Sequence, residues 1–402
     1  MSKVKLSREV GLMLLLFYGL GNILGAGIYV LVGKVVGIAG YFTITSFLLA
    51  CLITLFTALS YSELVSRYPL SAGAALYIQE GIGMKALSIG VGLLIAVAGL
   101  ISVATISHGF VGYLTQFVQI NETLAIILLV LVLVIIAIIG IKASVIVATV
   151  LTCLEIFGLL MIIYYGQDKI LHPTLSLSTF VPSFSFSDVS VVFFGAFLAF
   201  YAFIGFEDMV NIAEEVKEPR KSFPTAMIAA LIISTLLYVL IVLVALETLS
   251  LQELKVSKAP FADIFHRLTG KDPVIISAIG TFAVINGALI QMIMASRIVY
   301  GMASKGWLPP VLSHINTRTK TPVYATLLVG VTALVFALLF DIVSLASLTS
   351  LLVLIVFTLI NISLIRIKNI KPVPDGVIQI PVWVPYAGIV LNLLLIFMSF
   401  LA

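Results

Sequence analysis

Three acidic side chains lie inside long apolar stretches of this sequence, where charged residues are rare. Glu155 is in the middle of residues 145–165, and Glu207 and Asp208 follow Gly205 within a second apolar stretch. A charged side chain at the centre of a bilayer costs about 2.5–3.5 kcal/mol on insertion scales, so it usually faces a cavity or a partner. Burial favours the neutral acid and a nearby cation favours the carboxylate, so these residues could bind a cation or exchange a proton.

A glycine-rich stretch offers a second kind of binding chemistry, provided by the backbone. Residues 19–29 read Gly-Leu-Gly-Asn-Ile-Leu-Gly-Ala-Gly-Ile-Tyr, within an apolar run from about residue 12 to residue 38. Glycine costs about 1 kcal/mol relative to alanine inside a helix, so this stretch favours a break. A broken membrane helix exposes amides that suit a carboxylate and carbonyls that suit an ammonium group or a small cation. One interrupted helix could therefore bind both ends of a zwitterion.

The glycines also have a simpler interpretation, because Gly21 and Gly25 have the spacing of a close helix–helix contact. Glycine content alone leaves both interpretations open. A phosphate-binding loop is disfavoured because no strand precedes the stretch and the segment is intramembrane. The interrupted helix is favoured by a second break signal at residues 200–208, where Gly205 precedes the two carboxylates.

The composition places these residues in an all-α polytopic membrane protein. The chain of 402 residues is 61% hydrophobic and 10% charged, whereas a soluble domain has about 25% charged residues. The net charge of +4 therefore reflects the placement of loops and does not indicate a nucleic-acid partner. Hydropathy predicts eleven spans of about 20 residues or more, near residues 9–38, 40–66, 86–117, 123–141, 144–166, 188–213, 222–246, 273–303, 321–340, 342–365 and 381–401.

The spans form a single transmembrane domain, residues 1–402, made of two blocks and an extra helix. The blocks cover about residues 9–166 and 188–365, and the extra helix covers about 381–401. Since each block has five spans, the second runs in the opposite direction to the first. The interrupted first and sixth spans each open a block, and paired interruptions of this kind indicate a transporter's central site. With a cytoplasmic N-terminus, 16 of the 22 lysines and arginines lie on inner connections, which predicts that orientation.

Two short regions, residues 71–83 and 260–268, are predicted to lie outside the spans, and the first is too polar to cross the membrane and is expected at the inner surface. Residues 260–268 predict an amphipathic external helix that could cover the outer mouth or only rest at the interface. Glu63, Arg67 and Arg297 lie near the inner ends of their spans, which predicts charges at the interface that could help to close an inner gate.

Four motifs occur in order along the chain: Gly-Ala-Gly-Ile-Tyr at 25–29, Tyr-Ser-Glu-Leu from Tyr61, Phe-Ile-Gly-Phe-Glu at 203–207 and Ala-Ser-Arg at 295–297. Together they resemble the amino acid–polyamine–organocation superfamily, and most of all its amino acid permeases. The resemblance covers nearly the whole chain, from about residue 7 to residue 366. It implies a five-plus-five inverted-repeat, LeuT-like fold with helices 1 and 6 broken. The chain has eleven predicted spans instead of the usual twelve, which leaves the ten-helix core intact.

The resemblance also implies a binding site for an amino acid between the two breaks. The substrate carboxylate would bind the amides of Gly25, Ala26 and Gly27. The amine would bind carbonyls near both breaks, those of Ile23, Ala202 and Ile204. Tyr201 occupies the position where family members have an aromatic residue that closes over the substrate, and a core aromatic is the alternative.

Glu155 and Asn286 are the predicted coupling residues. Some proton-coupled relatives have a lysine at the place on the fifth helix where this chain has Glu155. Asn286 falls where sodium-coupled relatives use small hydroxyl residues. We hypothesise that Glu155 exchanges a proton during transport, and a permanently protonated structural Glu155 is the alternative. Glu207 could bind a cationic substrate, act in gating or hold the unwound backbone, and the structural role is favoured.

The sequence thus predicts secondary active import of an amino acid across the plasma membrane, with protons as the expected coupling ion. Sodium coupling, amino acid exchange and an amino acid sensor on the same fold are the alternatives. We expect no enzyme, since neither His-Glu-x-x-His nor Gly-x-Ser-x-Gly occurs. No metal site or cofactor is expected, and the expected partners are the amino acid and the lipid bilayer. Cationic and neutral substrates, and the oligomeric state, stay open.

Overall fold

The computed structural model describes residues 10–70, 73–139, 144–183, 185–316, 319 and 321–401. Within these ranges the chain is helical, with no β-strand and one isolated bridge between Val10 and Val216, which confirms the all-α prediction. The α-helices are α1 Leu12–Leu24, α2 Ala26–Ala39, α3 Thr43–Arg67, α4 Gly73–Ile82, α5 Lys85–Leu114, α6 Glu122–Ile139, α7 Ser144–Tyr165, α8 Gln167–Leu171, α9 Phe186–Phe200, α10 Pro219–Thr248, α11 Leu251–Val256, α12 Pro260–Thr269, α13 Val274–Ser304, α14 Val323–Leu339, α15 Ile342–Ile370 and α16 Trp383–Ser399. Short 3-10 helices cover Gly40–Phe42, Leu177–Phe180, Tyr201–Phe203, Phe206–Glu215 and Pro310–Ser313.

The long apolar helices agree with a multi-pass membrane protein. In the described part of the chain, six stretches are long and apolar enough to cross a bilayer: Leu12–Arg67, Lys85–Leu114, Phe186–Ala213, Pro219–Thr248, Val274–Ser304 and Ile342–Ile370. Four apolar helices are shorter, namely Glu122–Ile138, Thr149–Tyr165, Val323–Leu339 and Trp383–Ser399. Each predicted span overlaps one of these stretches, and the count of eleven spans stays a prediction.

The helices pack in pairs that draw on both predicted blocks. α5 packs along α13, and α3 packs along α10. In addition, α1 packs against α10, and α9 packs against α3. Small residues allow the α5–α13 contact to be close, since a Cβ atom on Gly99 would lie 3.2 Å from the Ala295 Cβ. The two interrupted helices are thereby enclosed by other helices, where broken backbone can be tolerated in a membrane protein.

The first predicted break is present and is confined to Gly25. Helix α1 ends at Leu24 and α2 begins at Ala26, while Gly25 has φ −42° and ψ −129°. Gly21 stays inside α1, where a Cβ atom would overlap with Thr152 on α7. The glycines therefore have different roles, since Gly21 permits close helix packing and Gly25 ends a helix.

The second predicted break is also present and is longer. Helix α9 ends at Phe200, and a 3-10 turn leads to Ile204, which is extended with ψ 138°. Gly205 then has φ 125°, a region that favours glycine because a side chain would clash there. The Glu207 carboxylate accepts a hydrogen bond from the Gly205 N–H at 2.8 Å. This contact agrees with the structural role favoured for Glu207, which stays a prediction.

The two short regions outside the spans give different outcomes. Helix α12 is the predicted amphipathic helix, with Phe261 and Ile264 buried and His266 exposed. Helix α4 lies in the first region and packs against α5 and α15. Ser71, where that region was predicted to start, lies outside the described residues.

The prediction of interfacial charges is wrong for Glu63 and Arg67. Both are buried, with exposed fractions of 0% and 7%. Arg67 Nη2 lies 2.7 Å from Glu63 Oε1, and Lys368 Nζ lies 2.6 Å from Glu63 Oε2. The segment after α15 covers them, because the N–H of Ile380 donates to Glu63 at 2.8 Å. We call Glu63, Arg67 and Lys368 the Glu63 cluster; Arg297 is exposed, as expected.

Candidate functional site

The two breaks lie against each other. A Cβ atom on Gly27 would lie 2.6 Å from the Cα of Ala202, and one on Gly205 would lie 2.7 Å from the Asn22 carbonyl oxygen. The Asn22 side-chain amide donates to the Gly205 carbonyl at 3.4 Å. Only glycine permits such close approach at these positions. Gly27 and Gly205 are therefore what allows the backbones of the two breaks to touch.

Two adjoining cavities lie beside the breaks. The first, which we call the central cavity, holds about 400 Å³ of space, and Asn22, Ile23, Gly27 and Tyr201 are among its lining residues. The second, the acidic cavity, holds about 480 Å³ and is lined by Glu207 and Asp208 among others. Both cavities are lined by Ser102, Ile204 and Gln291.

The start of α2 borders the central cavity. The predicted carboxylate-binding residues Gly25, Ala26 and Gly27 form the N-terminal end of this 14-residue helix. The first amides of an α-helix lack partners within the helix and carry partial positive charge, which favours an anion. Gly27 lines the central cavity, so this end of the helix borders that cavity.

Two of the three carbonyls predicted to bind the amine lie within hydrogen-bond distance of a tyrosine hydroxyl. The Tyr238 hydroxyl on α10 lies 2.6 Å from the Ile23 carbonyl oxygen and 2.8 Å from the Ala202 carbonyl oxygen. The sequence analysis missed Tyr238, because a lone tyrosine in an apolar helix has no feature that distinguishes it from a core aromatic. Of the three predicted residues, Ile23 and Ile204 line the central cavity. Amine binding by these carbonyls stays a prediction.

Tyr201 lies on the wall of the central cavity. Its exposed fraction is 6%, and its hydroxyl donates to the Ser102 carbonyl on α5 at 3.5 Å. The tyrosine therefore connects the second break to α5 at the edge of the cavity. The predicted closing of Tyr201 over a substrate requires a change of side-chain position and stays a prediction.

Glu155 and Asn286, predicted as neighbours, are in contact. The Asn286 side-chain amide donates to Glu155 Oε1 at 3.0 Å, and both residues are buried. Glu155 Oε2 is buried too, with no hydrogen-bond partner among the described residues. The Glu155 main-chain carbonyl accepts from the Tyr29 hydroxyl on α2 at 2.6 Å, which ties α7 to the first broken helix. An underpaired buried carboxyl group is costly unless it is neutral. Proton exchange by Glu155 during transport stays a prediction.

Asp208 and Gln291 form the polar link between the two cavities. Gln291 Nε2 donates to Asp208 Oδ2 at 3.1 Å, and Asp208 is 5% exposed. Gln291 was not predicted as a site residue, because glutamine in a long helix gives no separate signal. In the described ranges, no three His, Cys, Asp or Glu side chains are grouped closely enough to hold a metal ion.

Comparison with known proteins finds a family match over nearly the whole chain. The family described as amino acid permease matches residues 11–402. Cationic amino acid transporter 3, mitochondrial, of Arabidopsis thaliana is 28% identical over 387 residues, 90% of this chain and 62% of that protein. The branched-chain amino acid permease of Bacillus subtilis is 28% identical over 398 residues, 91% of this chain and 82% of that protein. The methylthioribose transporter of Bacillus subtilis is 26% identical over 409 residues, 96% of this chain and 86% of that protein. The chain therefore spans less than two thirds of the length of the Arabidopsis thaliana transporter.

Proposed function

This chain belongs to the amino acid permease family, and from that premise we propose that it carries an amino acid across a membrane by alternating access to the central cavity. The observation that carries the proposal is the meeting of two interrupted helices beside that cavity. Gly27 contacts Ala202 and Gly205 contacts Asn22. Such half-helix ends offer partial charges of both signs to a zwitterion.

The proposed fold is a five-plus-five inverted repeat. A twofold axis in the membrane plane would exchange α1 with α9, α3 with α10 and α5 with α13. The observed packing supports this assignment, because α3 lies along α10 and α5 lies along α13. The contact of α1 with α10 likewise has its counterpart in the contact of α9 with α3. Rocking of one repeat against the other could then open the central cavity to either side.

We propose that the substrate has a cationic side chain. Its carboxylate would bind the start of α2, and its side chain would extend past Gln291 into the acidic cavity. Glu207 is held by the Gly205 N–H, so Asp208 is the better candidate for direct contact with the cation. Several relatives are named as cationic amino acid transporters, which supports this choice. A branched-chain amino acid, as named for the relative in Bacillus subtilis, is the alternative.

Coupling to protons through Glu155 is the proposed energy source. The carboxyl group is fully buried, and one of its oxygens accepts a hydrogen bond from the Asn286 side-chain amide. Its other oxygen has no hydrogen-bond partner among the residues described. Protonation would remove the cost of a buried charge, and release of the proton would accompany a change in the surroundings of α7. Sodium coupling and amino acid exchange are the alternatives.

The proposed location is the plasma membrane, with the N-terminus in the cytoplasm. The orientation rests on the distribution of lysine and arginine, 16 of 22 on the inner connections. Relatives named as mitochondrial or vacuolar make an organelle membrane the alternative.

The coupling proposal is tested with purified protein in sealed vesicles that contain a pH-sensitive dye. External lysine should acidify the lumen of vesicles containing the wild-type protein, because protons enter with the substrate. Glu155→Gln should abolish this acidification while lysine still exchanges. Glu122→Gln, an exposed glutamate at the start of α6, is the matched control and should acidify like the wild type.

Two results would count against these proposals. Proton movement that is unchanged in Glu155→Gln would refute the role of Glu155. Saturable lysine binding by the wild type, with neither accumulation nor exchange, would favour a sensor over a carrier.

A further inference from the structure

Tyr238 lies where the C-terminal ends of two half-helices converge. Ile23 is in the last turn of α1, and Ala202 is in the turn that follows α9. Carbonyl groups at such ends carry partial negative charge, so two ends in close approach repel each other. A hydrogen-bond donor between them removes this repulsion, and the Tyr238 hydroxyl lies at 2.6 Å and 2.8 Å from the two carbonyl oxygens.

The hydroxyl cannot satisfy both carbonyls at once. A tyrosine hydroxyl has one proton, whereas each carbonyl oxygen has two acceptor lone pairs. At any moment one of the two carbonyls therefore lacks a donor from Tyr238. An arriving ammonium group has several donors and could bind that carbonyl while the hydroxyl donates to the other.

The ring of Tyr238 is held in place by packing. The residue is fully buried, and its ring meets Phe47 at 5.6 Å and Phe203 at 5.3 Å between centroids, both in edge-to-face geometry. Phe203 belongs to the second break and Phe47 to α3. The hydroxyl thus stays between the two half-helix ends without help from a bound ion.

We propose that Tyr238 is a positioning residue that holds the two half-helix ends at the separation that the substrate ammonium requires. It acts through the Ile23 and Ala202 carbonyls and does not itself bind the substrate. This inference rests on the proposed amino acid transport, and it adds a residue on α10 to the predicted binding residues, which lie at the two breaks. Loss of the hydroxyl leaves the ring packing intact and leaves both carbonyls without this donor.

The test compares Tyr238→Phe with Tyr113→Phe. Tyr113 is an equally buried tyrosine whose hydroxyl donates to a backbone carbonyl, that of Tyr29, at 2.7 Å. Each variant loses one buried hydroxyl. Of these two hydroxyls, the one on Tyr238 contacts carbonyls of both breaks, whereas the one on Tyr113 does not. In lysine uptake by vesicles, Tyr238→Phe should raise KM by about tenfold, the equivalent of one strong hydrogen bond. Its maximal rate should change much less, and Tyr113→Phe should keep a KM close to that of the wild type.

A measurement without substrate separates this inference from the proposed function. Hydrogen exchange of the peptide covering residues 201–206 should be faster in Tyr238→Phe than in the wild type and unchanged in Tyr113→Phe. This difference is expected even if the wild type transports no amino acid. Equal KM increases in the two variants, or unchanged exchange at residues 201–206 in Tyr238→Phe, would overturn the role of Tyr238.

Discussion

Two fully buried glutamates in this protein have opposite surroundings. Glu63 meets two cations, Arg67 and Lys368, and also accepts the N–H of Ile380. Glu155 has one amide donor on one oxygen, and its other oxygen has no partner in the described chain. A carboxylate that meets two cations and a backbone N–H holds the segments that carry them together. Under the proposed coupling, the underpaired carboxyl group of Glu155 instead gains and loses a proton during transport.

The largest expected effect is on stability at the Glu63 cluster. Glu63→Gln leaves Arg67 and Lys368 buried without their carboxylate, and breaking a buried ion pair costs about 3–5 kcal/mol. Thermal unfolding of the detergent-solubilised protein should show a clear drop in Tm. Glu80→Gln is the control, because Glu80 pairs with Lys371 at 2.6 Å near the surface, and such pairs contribute about 1 kcal/mol or less. Equal shifts for both variants would contradict the distinction.

Glu155→Gln should have a smaller effect on stability than Glu63→Gln. Glutamine has the same shape, and no cation within the described ranges is paired with Glu155, so no buried charge is left uncompensated. We expect a Tm close to that of the wild type together with loss of proton movement. A Tm drop as large as that of Glu63→Gln would favour the alternative, a structural Glu155.

Asp208→Asn should change selectivity more than overall activity. Removing the negative charge from the acidic cavity should raise the KM for lysine by about tenfold, because a charged hydrogen bond contributes about 1.5–3 kcal/mol. The KM for leucine, measured by competition, should change little. Asp188→Asn, a half-buried carboxylate near the start of α9 that lines neither cavity, is the control. Equal KM changes for lysine and leucine would refute a side-chain site at Asp208.

An exposed glutamate outside the spans gives the smallest effect. Hydrogen bonds from the Ser250 N–H and hydroxyl, together with Arg267, lower the pKa of Glu253 to about 2. The pKa is lower in the folded state, so this stabilisation is present above the ordinary value of 4.5 and is lost as pH falls toward about 2. Titration of Glu253 should therefore not change the stability of α11 between pH 7 and pH 5. The measured quantity is the protection of α11 amides from hydrogen exchange, corrected for the intrinsic pH dependence of exchange. A step in that interval that Glu253→Gln removes would contradict the lowered pKa.

The sequence predicted both helix breaks because glycine in an apolar helix is a local signal. Gly25 and Gly205 have the backbone angles of broken helices, and the adjacency of Glu155 and Asn286 followed from the resemblance to a family. Tyr238 could not be predicted in the same way, since its role depends on which carbonyls α10 meets after packing. The burial of Glu63 was missed for a related reason. Hydropathy treats each helix alone and does not show that the segment after α15 folds over the end of α3.

The most direct test of the account is lysine uptake by Gly27→Ala compared with Gly90→Ala. A Cβ atom on Gly27 would lie 2.6 Å from the Cα of Ala202 and would separate the two breaks, whereas one on Gly90 in α5 would meet nothing within 4 Å. If the two variants have similar Tm values, Gly27→Ala should lose most saturable lysine uptake and Gly90→Ala should keep it. Wild-type uptake in both variants would contradict a substrate site between the two broken helices.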